Sequence, residues 1–247
     1  MSKYLKLFDT TSQYNAYTAD TANFIKPNVS FIEETNGVAY NALVVPPAPS
    51  HDYVEIGGVK WATMNIGANS VTDTGLYFQW GDTQGYTADQ VGDGEGQKYF
   101  GWDDYKWTED GGTTFTKYNS TDGKTILESS DDAVTAAWGS GWRMPTTAEF
   151  RALGNAVNTA WTQVDGVYGV LCTDKTDSSK TLFFPACGVC IYGDVYTEGS
   201  GAYWSSSLNS SEVQKAYSLY YDEDSSVYWD IDRNYRRYGF TVRGVLG

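Results

Sequence analysis

The sequence predicts an α+β protein. Three observations carry that reading: strand-like runs fill both ends of the chain, two helix-start signals sit near its middle, and no strand–helix–strand alternation appears.

The elements follow in order. Residues 1–45 form a small β-rich unit, in which YLKLF and NVSFIEETNGVAYNALVV read as strands and Asn36-Gly37 as a hairpin turn. PPAPSH (46–51) reads as a stiff linker, because prolines favour extended backbone. A second unit, 52–247, opens with YVEIGGVKWATMNIG, a hairpin turning at Gly57-Gly58, and GLYFQWGD reads as a further strand. Residues 83–125 are long, polar and Gly-rich. A compact domain tolerates such a segment when it folds on itself or binds something.

Ser129 or Ser130 can cap SDDAVTAAWG, with Asp131 and Asp132 in the first turn. Thr146 and Glu149 have capping-box spacing, and Phe150, Leu153, Val157, Ala160 and Trp161 then share one helical face. In GWRMP, Trp142 and Met144 are expected in the core, with Arg143 bridging loops. From Gly166 onward the runs VYGVLCTD, KTLFFPACG, YWSSSL, KAYSLYYD, VYWDI and GFTVRGV read as an antiparallel meander.

Composition narrows the function. With 247 residues, 41% of them hydrophobic, the chain can build a real core. Acids outnumber bases 31 to 17, giving a formal charge of −14. Nucleic acid is therefore not an expected partner, since that affinity rests on cationic contacts. No run approaches membrane-spanning length, so membrane insertion is not expected either. The opening MSKYLKLFDTTSQYNAY lacks the apolar run and cleavage signal of a secretory peptide. The 20 tyrosines and nine tryptophans suit a binding surface, because aromatic rings give large contact area with few rotors.

Catalytic and metal motifs are sparse. The lone His51 sits in the linker, and HExxH, GxSxG, Walker and GxGxxG patterns are absent. Asp230 and Asp232 could form a glycosidase-like pair, but any acidic sheet face meets that demand. Cys187 and Cys190 have CxxC spacing without a second pair. With Cys172 they make an odd count that argues against a disulfide framework and for burial. DEDSS (222–226) gathers carboxylates, yet Val227 and Arg233 stand where an EF-hand needs Gly and Glu. No cofactor is expected; a structural calcium held by loop acids remains open. Arg233, Arg236, Arg237 and Arg243 are expected to be structural or solvated, with Arg236 or Arg237 pairing local acids and Arg243 bracing the fold.

In a strand over 227–232, Val227, Trp229 and Ile231 face inward and Tyr228, Asp230 and Asp232 outward. Over 217–222, Tyr217, Leu219 and Tyr221 share one face and Ser218, Tyr220 and Asp222 the other.

The motifs WGSGWRMPTTAEFRAL, GAYWSSSL, AYSLYY and YGFTVRGV resemble the paralogous domain abundant in Bacteroidetes and Fibrobacter proteins, over residues 52–247. That resemblance implies a C-type lectin-like fold of the formylglycine-generating-enzyme variety. The chain lacks the WND and EPN signatures of animal lectins and a match to the catalytic cysteine pair of formylglycine-generating enzymes. Catalysis is therefore not expected. YLKLFDTTSQYNAY and PNVSFIEETNGVAYN resemble leader segments of structural proteins of Bacteroides and their phages.

The domain also resembles the variable proteins of diversity-generating retroelements, whose adenine-altered codons yield Asn, Asp, Ser and Tyr. Residues 203–238 hold seven Tyr, eight Ser, four Asp and two Asn, 21 of 36 positions. The resemblance implies a displayed set of Asn209, Ser211, Tyr221, Asp222, Asp224, Ser226, Tyr228, Trp229, Asp230, Asp232, Asn234 and Tyr235. Trp229 is in conflict, since strand alternation turns it inward. The implied function is non-catalytic receptor binding at a phage tail or receptor-binding position, with residues 1–45 attaching or oligomerising the protein. The implied partner is a protein or glycan receptor on a bacterial surface, and a homotrimer fits that location by analogy. A bacterial surface or secreted adhesin is the alternative, followed by a formylglycine-generating-like enzyme and a purely structural virion protein.

Overall fold

The structure is a computed structural model. It describes residues 29–33, 39–43, 51–197, 199–223 and 228–247, with side chains described for 51–197, 199–223 and 233–247. The chain divides into two compact units, Met1–Ser50 and His51–Gly247. In the first, β1 (Val29–Glu33) pairs antiparallel with β2 (Ala39–Leu43), Val29 opposite Leu43. The expected YLKLF strand, the Asn36-Gly37 turn and residues 46–50 of the linker lie outside the described residues.

The second unit begins with β3 (Tyr53–Ile56) and β4 (Val59–Asn65). Gly57 and Gly58 join them with φ of 62° and 78°, the two left-handed positions that a tight hairpin requires. Two helices follow, α1 (Ala133–Trp138) and α2 (Thr147–Ala156), with β5 (Trp142–Arg143) between them. Then come β6 (Val157–Val164), β7 (Val167–Asp174), β8 (Thr181–Pro185), β9 (Val189–Ile191) and β10 (Asp194–Tyr196). The chain closes with β11 (Ser200–Leu208), β12 (Lys215–Asp222), β13 (Tyr228–Tyr235) and β14 (Arg243–Leu246). The sheets of this unit are β3-β4-β14-β5, β6-β7-β8, β9-β10 and β11-β12-β13, each with antiparallel pairing.

This arrangement corrects the expected α+β, C-type lectin-like fold. Strand accounts for 41% and helix for 10%, and α2 alone among the described helices reaches seven residues, so the fold is β-rich. The helices are shorter than expected for identifiable reasons. α1 is capped by Asp132, not Ser129 or Ser130. One Asp132 oxygen accepts from the Thr135 N–H and the other from the distant Met144 N–H, a contact no local rule anticipates. α2 does start at the Thr146/Glu149 capping box, but it stops at Ala156. Val157, Thr159 and Trp161 instead pair with β7 opposite Asp174, Cys172 and Val170, so Ala160 and Trp161 leave the helical face. β-Branched residues at alternate positions favour that sheet partner over another helical turn.

Three sheets and α2 meet in one core, which includes Trp61, Phe150, Leu153, Val170, Phe184, Tyr203, Leu219 and Val245. Arg243 is buried inside it. Its guanidinium donates to Asn65 Oδ1 (2.8 Å) and to the carbonyls of Ala62 (3.0 Å), Thr63 (2.8 Å) and Phe183 (3.0 Å). This ties β4, β8 and β14 together, the bracing role expected of it. Trp142 and Met144 are also buried as expected, and Arg143 holds Glu149 through paired bonds of 2.8 and 2.5 Å.

Residues 83–125 fold on themselves, burying Phe100, Tyr105, Phe115 and Tyr118. Arg236 anchors them. Its Nε donates to Tyr105 Oη (2.8 Å), and its terminal nitrogens donate to the carbonyls of Tyr118 (3.2 Å), Val213 (3.0 Å) and Lys117 (3.0 Å). The expectation that Arg236 pairs a local acid is thus replaced by neutral oxygens, three of the four from the long segment.

Burial pushes the Glu149 carboxyl up, but bonds from Arg143 and Thr146 outweigh it and hold the pKa below the ordinary value. A depressed carboxylate pKa adds stability above the unfolded pKa, and that stability is lost as pH falls through the folded value. Glu149→Gln should therefore cost about 1–2 kcal/mol at neutral pH. Urea midpoints measured against pH should show the gap to wild type closing below about pH 4.

Candidate functional site

Strands β11, β12 and β13 carry most of the anticipated surface, and they do not gather it in one place. β12 separates two hairpin ends by roughly 23 Å, at about 3.3 Å per residue. Asn209, Ser211, Asn234 and Tyr235 lie towards one end, where Lys215 pairs with Tyr235. Asp222 lies at the other end. Asp224 and Ser226 fall outside the described residues. Tyr228, Trp229, Asp230 and Asp232 lie on β13 with side chains outside the described residues, and so does the conflict over Trp229.

Two of the anticipated residues are not surface at all. Tyr221 is fully buried, with its hydroxyl shared between the carbonyls of Pro185 (2.6 Å) and Phe184 (2.9 Å). It shares the core face of β12 with Leu219, as the period of two requires. Asn209 is also buried and shapes the β11–β12 turn. Its Oδ1 accepts from the Ser211 N–H (3.1 Å), and its Nδ2 donates to Glu212 (3.2 Å). Ser211 and Tyr235 are exposed, and Asp222 and Asn234 half-buried. Asn234 Nδ2 donates to Ser218 Oγ at 3.0 Å.

Among the described residues, an exposed aromatic group lies beside Tyr235 and draws on segments that sequence reasoning did not select. Tyr99, Tyr192 and Tyr235 are 40%, 49% and 36% exposed. Arg237 is buried among the rings, its guanidinium carbon 4.0 Å from the Tyr192 centroid and 4.5 Å from that of Tyr238. Tyr235 and Trp102 stand at 5.4 and 5.6 Å. Ring contacts link Tyr99 to Tyr192 (5.7 Å), Trp102 to Tyr235 (5.9 Å) and Tyr235 to Tyr238 (5.6 Å). Arg237 donates to the Phe100 carbonyl at 3.4 Å, and among the described residues its buried Nε has no hydrogen-bond partner. Among the described residues, ring faces and not a carboxylate surround this cation. Burial pushes the Tyr238 hydroxyl pKa up, and the neighbouring Arg237 opposes that shift.

Backbone geometry delivers each part. Cys190 and Gly239 exchange N–H···O bonds of 2.8 and 2.9 Å, which sets β9 beside the turn after β13. A Cβ on Gly239 would lie 2.5 Å from the Phe100 ring, so only glycine allows that approach. Tyr192 and Gly193 form the two-residue turn between β9 and β10, with φ of 53° and 82°. Asn is the usual partner of Gly in such a turn, and a tyrosine there is strained. The Gly193 N–H then bonds the Tyr99 carbonyl at 2.6 Å, joining the turn to the long Gly-rich segment. The available signal was tyrosine within Gly-rich runs, QKYFGW and IYGDVY.

A concavity of about 300 Å³ lies elsewhere, lined by Leu127, Asp132, Thr135, Trp142, Met144 and Ser206 among others. It contains none of the anticipated residues. Its carboxylate already accepts the α1 cap bond and the Met144 N–H, so it serves the fold. The three cysteines are free and buried, and His51 stacks on Trp138 at 3.9 Å. Among the described residues, no three His, Cys, Asp or Glu side chains group as metal ligands.

Core and surface roles separate by stability. Tyr221→Ala should lower the unfolding free energy by about 3–5 kcal/mol. Ser211→Ala should stay within about 0.5 kcal/mol of wild type. Denaturant unfolding monitored by tryptophan fluorescence checks both.

Comparison with known proteins gives one match. A family model described as "Domain of unknown function (DUF8237)" matches residues 172–245, a stretch that contains Tyr192, Tyr235 and Arg237. No curated protein and no solved structure matches the chain.

Proposed function

We infer that this chain is a non-catalytic receptor-binding protein that presents a tyrosine-rich surface to a protein or glycan on a bacterial cell, from a virion tail or receptor-binding position. The observation that carries the reading is the exposed cluster of Tyr99, Tyr192 and Tyr235, held in place by the buried Arg237. Tyrosine brings contact area, a hydroxyl and only two rotors, so little entropy is lost when it is covered. A strained tyrosine turn supports the same reading, because backbone strain persists where the side chain's position matters. The Tyr-, Ser-, Asp- and Asn-rich composition of 203–238 supports diversification of the part of this surface that the segment contributes, Tyr235.

Two measurements test it. Tyr192→Ala and Tyr235→Ala should each weaken binding to the host bacterium by about tenfold or more, with circular dichroism showing that both variants stay folded. Tyr53→Ala, exposed on β3, should bind as wild type. Wild-type binding by both platform variants would sink the proposal. For diversification, the neighbouring DNA should hold a near-copy of the codons for 203–238 that differs mainly at adenines. A search that finds neither that repeat nor a reverse transcriptase gene rejects this part.

A further inference from the structure

Gln79 and Lys98 meet in a buried contact that the aromatic surface does not use, and Asp104, half-buried and also accepting from the Phe100 and Gly101 N–H groups, lies at its edge. Gln79 is 1% exposed and Lys98 8%. Gln79 precedes the long Gly-rich segment, and Lys98 lies within it. The Lys98 Nζ donates to Gln79 Oε1 at 2.8 Å. Asp104 bridges the two side chains: Oδ2 lies 3.2 Å from Nζ, and Oδ1 accepts from Gln79 Nε2 at 3.0 Å. The carboxamide is further oriented by the carbonyls of Arg237 (3.0 Å) and Gly101 (3.3 Å), both of which accept from Nε2. The rings of Tyr86 and Phe100 stand 5.3 and 5.6 Å from Nζ. A primary amine, a carboxamide and a carboxylate touching both are the groups that amide exchange needs.

We propose that Lys98 and Gln79 join in an intramolecular isopeptide bond, with Asp104 carrying the proton. Asp104 Oδ2 takes a proton from Nζ. The freed lone pair forms the Nζ–Cδ bond to Gln79. The same Oδ2 then gives that proton to Nε2, the Cδ–Nε2 bond breaks, and its electron pair leaves with the nitrogen as ammonia. The remaining surplus proton of the original ammonium departs with the ammonia as ammonium ion. Nothing is oxidised or reduced, and no co-reactant is needed. Two physical features favour the step. Fixed neighbours replace a bimolecular encounter, and the aromatic walls limit the water that would compete for the carbonyl carbon. The product ties the strand-like stretch before the long segment to its middle, independently of any receptor.

Intact mass spectrometry of the purified full chain tests this. The wild-type mass should fall short of the sequence mass by one ammonia. A protease that cuts beside aspartate acts between the two residues, at Asp82, Asp89 and Asp93. Its digest should still hold Gln79 and Lys98 in one branched peptide. Lys98→Arg and Asp104→Asn should each restore the full mass, with circular dichroism reporting their fold. A folded wild type of full sequence mass overturns the proposal whether or not the variants fold. An ammonia deficit that maps elsewhere overturns it too. A folded Asp104→Asn that keeps the bond overturns the role given to Asp104.

Discussion

The long Gly-rich segment depends on one buried guanidinium. Arg236 has no solvent exposure, and it meets carbonyls and a phenol instead of a carboxylate. Burial pushes its pKa down, yet the planar fork can satisfy several neutral oxygens at once, which a lysine ammonium cannot do in the same geometry. Rings of Phe115, Trp80, Tyr105 and Tyr118 pack around it at 4.6 to 5.9 Å. Backbone carbonyls in a segment with little regular structure would otherwise be buried without donors. Arg236 supplies those of Lys117 and Tyr118, and side chains such as Thr108 and Asn119 supply those of Thr114 and Phe115, so a segment of turns and bends can hold a fixed shape.

The next residue uses the same chemistry at the surface. Arg237 lies under Tyr192 and Tyr238, with its charge facing π-electrons and the Phe100 carbonyl. Consecutive arginines thus serve opposite needs: Arg236 fixes the segment that carries Tyr99 and Trp102, and Arg237 fixes the rings around it. A binding surface built this way is preorganised, because its tyrosines already rest on a buried cation and on one another. The strain at Tyr192 fits that picture. The turn accepts a residue that suits it poorly, and the ring sits on Arg237 as a result.

Local signals were legible wherever the physics was local. The Gly57-Gly58 turn, the capping box of Thr146 and Glu149, and the strand runs from 167 onward need only near neighbours, and each appears. The helical face continued to Trp161 was misread, because Val157–Val164 has a sheet partner that periodicity cannot weigh. The candidate surface was legible in part. Tyr235 and Ser211 are exposed, whereas Tyr221 and Asn209 are buried through acceptors and turns that composition does not reveal. Tyr99, Tyr192 and Arg237 went unselected because their grouping joins chain segments from 45 to 138 residues apart.

By itself, the sequence determined the tyrosine-rich and acidic character of the protein, its antiparallel C-terminal third, the start of α2, and the absence of familiar catalytic motifs. These follow from residue type, period and spacing, which act over a few positions. Only the tertiary structure decided that the fold is β-rich and that α2 ends at Ala156. It alone decided that Tyr221 belongs to the core and that the exposed tyrosines collect around Arg237. Such outcomes rest on which distant backbone groups and ring faces come within hydrogen-bonding or van der Waals reach, and that is set by packing.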